Sequence, residues 1–409
     1  MLSFQEKLEN YADLAVKVGV NVQKGQEVMV QAPLSAVELV RLITKKAYQA
    51  GAKRVHFRWS DDELVHTHYK LAPEEVFSKF PEWEALAMNS LAEEGAAFIN
   101  LNSPNPDLFE DIDQKRVAMN RQASGKALET FITLQMSHKV RWTILSVPTE
   151  VWAKKVFPER DPKEAVTELW EVVFKMTRAD QADPVEAWTT HRETLNQKSH
   201  VLNTKKYKKL HYNAPGTNLS IEFDPQQLWV PSEELKRGTI PNVANIPTAE
   251  LFTLPKKTGV NGTVVSTMPL NYSGTVIEGI SLTFEDGRII DYSATKGYET
   301  LKNVIETDEG SHYLGEVALV PQDSPIAQSG LIFYNTLYDE NASCHLAIGR
   351  AYPTLEGADE MGPEDLEAHG VNNSLVHVDF MIGSNELDID GETVEGVREP
   401  IMRKGLWTI

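Results

Sequence analysis

Glu316 lies in the run Leu314-Gly315-Glu316-Val317-Ala318-Leu319-Val320, a single acid in a stretch that otherwise reads as a buried strand. A carboxylate in such a place costs several kcal/mol unless it is paired or bound to a cation. Further along, His377 and Asp379 sit two apart in Ser374-Leu375-Val376-His377-Val378-Asp379-Phe380-Met381. Residues i and i+2 of a strand share a face. One face would therefore offer an imidazole and a carboxylate together, with Val376, Val378 and Phe380 on the other. An H-x-D strand is a convenient way to give a metal ion two ligands.

Three more segments carry the same mixture. Glu250 stands between Pro247 and Pro255 in mostly uncharged surroundings; Glu340 and His345 lie in Tyr338–Ala347; Tyr352 precedes a proline in Gly349-Arg350-Ala351-Tyr352-Pro353. The charges add up. Two divalent cations carry four positive charges, Glu250, Glu316, Glu340 and Asp379 carry four negative ones, and His345 and His377 bind as neutral imidazoles. Mixed imidazole and carboxylate ligation suits zinc, cobalt or manganese rather than calcium. Such a centre brings the pKa of a bound water toward about 7, which is what hydrolysis of an amide needs. Glu316 and Glu340 are candidate general bases, since residue type alone does not separate a ligand oxygen from a base oxygen.

Each segment also has an ordinary reading. A lone Glu in a strand can be an edge residue or a salt-bridge partner, a His in an apolar run a satisfied core residue, and Tyr352 a half-buried tyrosine beside a turn. Asp61, Asp62, His66 and His68 form a rival cluster, but in a charged helical stretch where a solvated face is the simpler account. Cys344 is the only cysteine. It reads as a small buried hydrophobe more readily than as a nucleophile. With no possible intrachain disulfide, the chain fits a reducing, cytoplasmic compartment.

The elements that would hold these groups fall into two parts. Phe4, Leu8, Tyr11, Ala15 and Val18 share a helical face over 4–18; 27–32 and 53–59 read as strands around a helix at 35–50 that Gly51 ends. Strands at 96–101 and 142–148, with a helical stretch near 120–137, continue the rhythm of a mostly parallel sheet flanked by helices. Helices follow over 149–200, including 163–178, and a strand near 208–213 is expected to return to that first sheet. Beyond residue 215, short strands dominate: 263–269, 275–285 and 288–294, with a hairpin turn at Glu285-Asp286-Gly287. Residues 297–307 and 336–348 read as helices. The expectation is an α/β N-terminal domain over 1–215 and a mixed α+β domain over 216–409 that carries the candidate ligands.

At 409 residues the chain has room for two domains of about 100–200 residues each. Its net charge of −19 makes nucleic acid and anionic membranes poor partners. No run of about 18 apolar residues marks a membrane span. The sequence contains no GxGxxG, GxxxxGK, GxSxG, HExxH or paired CxxC. The simplest dinucleotide enzymes, P-loop enzymes, α/β-hydrolases, zincins and zinc fingers are thereby set aside.

In NIPTAELFT, YLGEVALV, the Glu340–His345 segment, GRAYP and HVDFMIGS the chain resembles the aminopeptidase T family of metalloaminopeptidases, which includes the AmpS and PepS enzymes. The resemblance runs over essentially the whole length. It implies a homodimer that removes N-terminal residues from peptides with a free N-terminus. It also implies two divalent ions per chain, variously zinc, cobalt or magnesium, and a catalytic domain over 216–409 to which the N-terminal domain restricts access while supporting dimerisation. Glu250, Glu316, His345, His377 and Asp379 would be ligands, with Glu316 bridging. Glu340 would be a sixth ligand and Tyr352 the active-site tyrosine. One departure stands at Ala249, where the family pattern leads one to expect Glu. Two other classes stay open: a different two-metal hydrolase such as a phosphoesterase, and a non-catalytic peptide-binding protein.

Overall fold

Ser3 and Glu6 start the first helix by closing a capping box: the Ser3 hydroxyl accepts from Glu6 N–H, and the Glu6 carboxylate accepts from Ser3 N–H at 2.7 Å. The chain is α-helical over Phe4–Asp13 and continues as a π-helix over Leu14–Gly19. In this computed structural model, residues 2–105, 107–136, 139–231, 240–272 and 275–409 are described. The chain divides into two compact units, Met1–Thr190 with Lys236–Pro247, and His191–Leu235 with Thr248–Ile409.

The first unit is built on the expected parallel sheet. Its strands are β1 (Glu27–Pro33), β2 (Arg54–Ser60), β3 (Ala97–Asn102) and β4 (Trp142–Ser146), in the order β2-β1-β3-β4 with all neighbours parallel. Ala97, Phe98, Ile99 and Leu101 of β3 are all buried. Burial of successive residues means that both faces are covered, as βαβ crossovers require.

The second unit holds two large antiparallel sheets and a two-stranded ribbon of Leu270–Tyr272 with Thr275–Ile277, so the segment 275–285 expected as one strand is two. Eight strands form the larger one, in the order 288–293, 281–285, 260–265, 217–222, 209–214, 388–392, 398–403 and 406–407. Lys209–Ala214 therefore does not return to the first sheet. It pairs with Thr217–Glu222 and Asp388–Glu392 instead. Its alternating burial shows why the sequence was ambiguous, since alternation defines a strand without naming its partner. The hairpin at Glu285–Gly287 is present, joining Ser281–Glu285 to Arg288–Ser293.

The smaller sheet has five strands: β5 (Val230–Pro231), β6 (Leu251–Thr253), β7 (Leu314–Leu319), β8 (His345–Gly349) and β9 (His377–Met381), in the order β9-β8-β7-β6-β5. Residues expected as one helix over 336–348 are a short helix at Thr336–Asp339, a 3₁₀ turn at Glu340–Ala342 and then β8. Every residue of β8 is buried, and periodicity cannot tell a fully buried strand from a buried helix. Leu251, Val317, Leu319, Leu346, Ile348, Val378 and Phe380 join one apolar core with residues of the larger sheet. The alternate residues of β6–β9 are left for the opposite face.

Candidate metal centre

That opposite face collects the predicted ligands. Glu316 pairs across the ladder with Ala347, which pairs with Asp379; Gly349 pairs with His377, and Ala318 with both His345 and Phe252. Residues opposite one another in register share a face. Glu250, two residues before Phe252, continues the same alternation. The spaces directly between the charged rows are filled by Ala347, Ala318 and Gly349, so small side chains leave room where the ligands converge.

Backbone irregularity aims Glu316. The β7–β8 register shifts between Leu314 and Glu316, a bulge at Gly315. A Cβ at Gly315 would lie 2.3 Å from the Arg350 carbonyl oxygen, so only glycine fits there. Gly349 has φ +104°, and a Cβ there would lie 2.2 Å from the Val376 carbonyl oxygen, so glycine is required at this position as well.

Among the described residues, two groups of three have ligand atoms within 4.8 Å of one another: Glu250, Glu316 and His345; and Glu316, His377 and Asp379. Glu316 belongs to both. Its Oε1 lies 3.5 Å from His345 Nε2 and its Oε2 lies 3.6 Å from His377 Nε2. Glu250 Oε2 is 3.2 Å from His345 Nε2, and Asp379 Oδ1 is 3.4 Å from His377 Nε2. Both imidazoles are oriented from behind. Nδ1 of His345 meets Ser343 O at 3.1 Å, and Nδ1 of His377 meets Arg350 O at 2.7 Å. A ring that donates from Nδ1 to a carbonyl presents Nε2 as a lone pair, the arrangement typical of a metal-bound histidine.

The donor set fits a divalent metal. Asp379 Oδ1 is buried and accepts no hydrogen bond among the described residues. An orphaned carboxylate oxygen facing imidazole lone pairs is satisfied by a cation or by protons. Metal-free electrostatics show the strain of this packing. Burial raises the Glu316 pKa against the pull of His345 and His377, and burial with Glu250 and Asp379 raises that of Glu340 further. Burial lowers His345, but Glu250 and Glu316 outweigh it and lift it well above its usual value.

Glu340 is buried in the 3₁₀ turn beside this cluster but belongs to neither group of three. Tyr352 packs edge-on against the His377 ring, with centroids 5.6 Å apart, and against Phe252. Burial, and then Glu316 and Asp379, push its pKa up, so it keeps its proton. The rival cluster has structural duties: Asp61 caps the helix Asp62–Leu71, His66 meets Asp111 at 2.7 Å, and the ring of His68 packs on Phe77. Cys344 is buried, with its thiol donating to Val320 O, and burial raises its pKa to about 11.

Two supporting residues escaped the sequence reading. Asn341, fully buried, accepts from Ala249 N–H at 2.8 Å and donates to Leu337 O at 3.0 Å. It ties the chain beside Glu250 to the turn that carries Glu340. Ala249, the departure from the family pattern, contributes to this tie through its backbone. Asp308 accepts from Leu375 N–H and the Ser374 hydroxyl and so fastens the approach to β9. Adjacency to Glu340 could have marked Asn341, but nothing local marks Asp308, whose contacts with Ser374 and Leu375 are long-range.

A carboxylate and imidazole cluster on one face of a buried sheet is a donor set for a divalent metal. Residues 4–407 match the family described as thermophilic metalloprotease (M29). Aminopeptidase AmpS of Bacillus subtilis is 52% identical over 408 residues, covering 100% of both chains. Aminopeptidase 2 of Geobacillus stearothermophilus is 50% identical, covering 100% of this chain and 99% of its own. Wild-type AmpT from Thermus thermophilus has a similar structure, with a TM-score of 0.93, 39% identity and full coverage of both chains. The chain belongs to the M29 family and is a metalloaminopeptidase, a peptidase of the hydrolase class.

Proposed function

We propose that the protein removes N-terminal residues from peptides with a free N-terminus, using two divalent metal ions that share Glu316. The observation that carries this reading is the division of the Glu316 carboxylate between two ligand groups, one completed by Glu250 and His345, the other by His377 and Asp379. Glu340 is the sixth donor in this reading. Zinc, cobalt and manganese suit the mixed donor set, the family resemblance adds magnesium, and the working form is a cytoplasmic homodimer.

Bound divalent ions supply an activated water and a polarised scissile carbonyl. The protein's own groups do the rest. His345 and His377 are held in one ring orientation by backbone carbonyls, so no reorientation is needed on loading. Tyr352, kept protonated, donates a hydrogen bond to the oxyanion that develops on the scissile carbonyl. Glu316 and Glu340 are the candidates in this reading for the base that carries the proton to the leaving amine.

The test uses metal-reconstituted protein on aminoacyl chromogenic amides, an N-acetylated peptide and a phosphate ester. Stepwise release of N-terminal residues, abolished by chelation, is expected. Equal cleavage of the N-acetylated peptide would refute the exopeptidase reading, and preferential cleavage of the ester would point to a phosphoesterase.

A further inference from the structure

The two ligand groups differ in their distance from water. Side chains of Glu250, Glu316 and His345 are 6%, 9% and 1% exposed. In the other group His377 is 27% and Asp379 13% exposed.

They also differ in construction. The first group draws one ligand from each of three neighbouring segments in the sheet interior: the residue before β6, then β7 and β8. Asn341 ties the chain beside Glu250 into the buried turn before β8. The second group takes two of its three ligands from β9, the edge strand of the sheet.

Release of a metal ion needs a competing ligand to reach it and the protein donors to swing away. Burial limits the first, and cross-tied supports limit the second.

We propose that Glu250, Glu316 and His345 form a retentive inner site, and that Glu316, His377 and Asp379 form an exchangeable outer site. The inner site fills first and gives up its ion slowly to dilution or a chelator. The outer site responds to the metal available and is the one an incoming peptide meets. This inference rests on the two-metal reading above.

The experiment loads the full-length protein with Zn²⁺, exposes it to excess EDTA, and measures protein-bound zinc over time by elemental analysis. Co²⁺-loaded protein followed by visible absorption gives a second readout. Wild-type protein is expected to fall from two ions to one in a fast phase and to none in a slow phase. Asp379→Asn should lack the fast ion and keep the slow one. Glu250→Gln should lose the slow phase.

Loss of both wild-type ions in one phase overturns the asymmetry and leaves the two-metal reading standing. Failure to bind more than one ion overturns both. A slow phase that survives in Glu250→Gln and vanishes in Asp379→Asn overturns the assignment of inner and outer. The wild-type time course decides the asymmetry even where a variant does not fold.

Discussion

Ala347 stands directly across the β8–β9 ladder from Asp379, and its methyl group is all that fills the row between Asp379 and Glu316. Ala347→Leu would place a branched side chain where the ligands converge. The strand remains compatible with Leu, so the fold should persist by circular dichroism. Metal affinity is expected to fall by about 10–100-fold, as for lost support of a ligand. Unchanged affinity by calorimetric titration would show that the centre does not lie over Ala347.

His377→Ala removes a neutral ligand and leaves a gap that water can fill. Asp379→Asn keeps the shape but removes one negative charge from a site that balances four. Both variants should stay folded, because Val378 and Phe380 on the core face are untouched. Both should lose most activity, and excess metal should rescue Asp379→Asn less well. His66→Ala and His68→Ala should keep wild-type rates. Full activity and two bound ions in both β9 variants would move the site elsewhere.

Tyr352→Phe keeps the packing on His377 and Phe252 and removes only the hydroxyl. Loss of one oxyanion donor costs about 10²–10³ in kcat. That loss is expected with KM little changed. A rise in KM with kcat intact would assign Tyr352 to substrate binding instead.

Metal loading should release protons. Burial alone would lower the His377 pKa, but Asp379 and Glu316 outweigh it and raise it to about 10 from 6.5. Below that value the metal-free ring is protonated and cannot ligate. Apparent metal affinity should therefore rise with pH from neutrality toward about 10. The same shift stabilises the metal-free fold fully below pH 6.5, a contribution lost as pH climbs through about 10. Calorimetry in buffers of different protonation enthalpy measures the protons released, and a zero value at neutral pH contradicts this account.

The sheet rhythm of the first unit was legible because β1, β3 and β4 carry apolar runs between helical periods. The pairing of His377 with Asp379 was legible because strand alternation is local. The strand at His345–Gly349 was not, since complete burial erases alternation. Nor was the return of Lys209–Ala214 to the larger sheet, because partner choice is a long-range contact. Asn341 was invisible for the same reason: its acceptor duty to Ala249 spans distant parts of the sequence. Glu316 stood out only as a charge in the wrong place, and the bulge at Gly315 that aims it needed coordinates.

The sharing of Glu316 between two metal ions is the centre of this account, and anomalous diffraction from zinc-loaded crystals tests it most directly. Two peaks are expected over the face of the five-stranded sheet, one beside Glu250 and His345, the other beside His377 and Asp379, each in contact with a different oxygen of Glu316. A single peak, or peaks at His66 and Asp111 with none at Glu316, would contradict it.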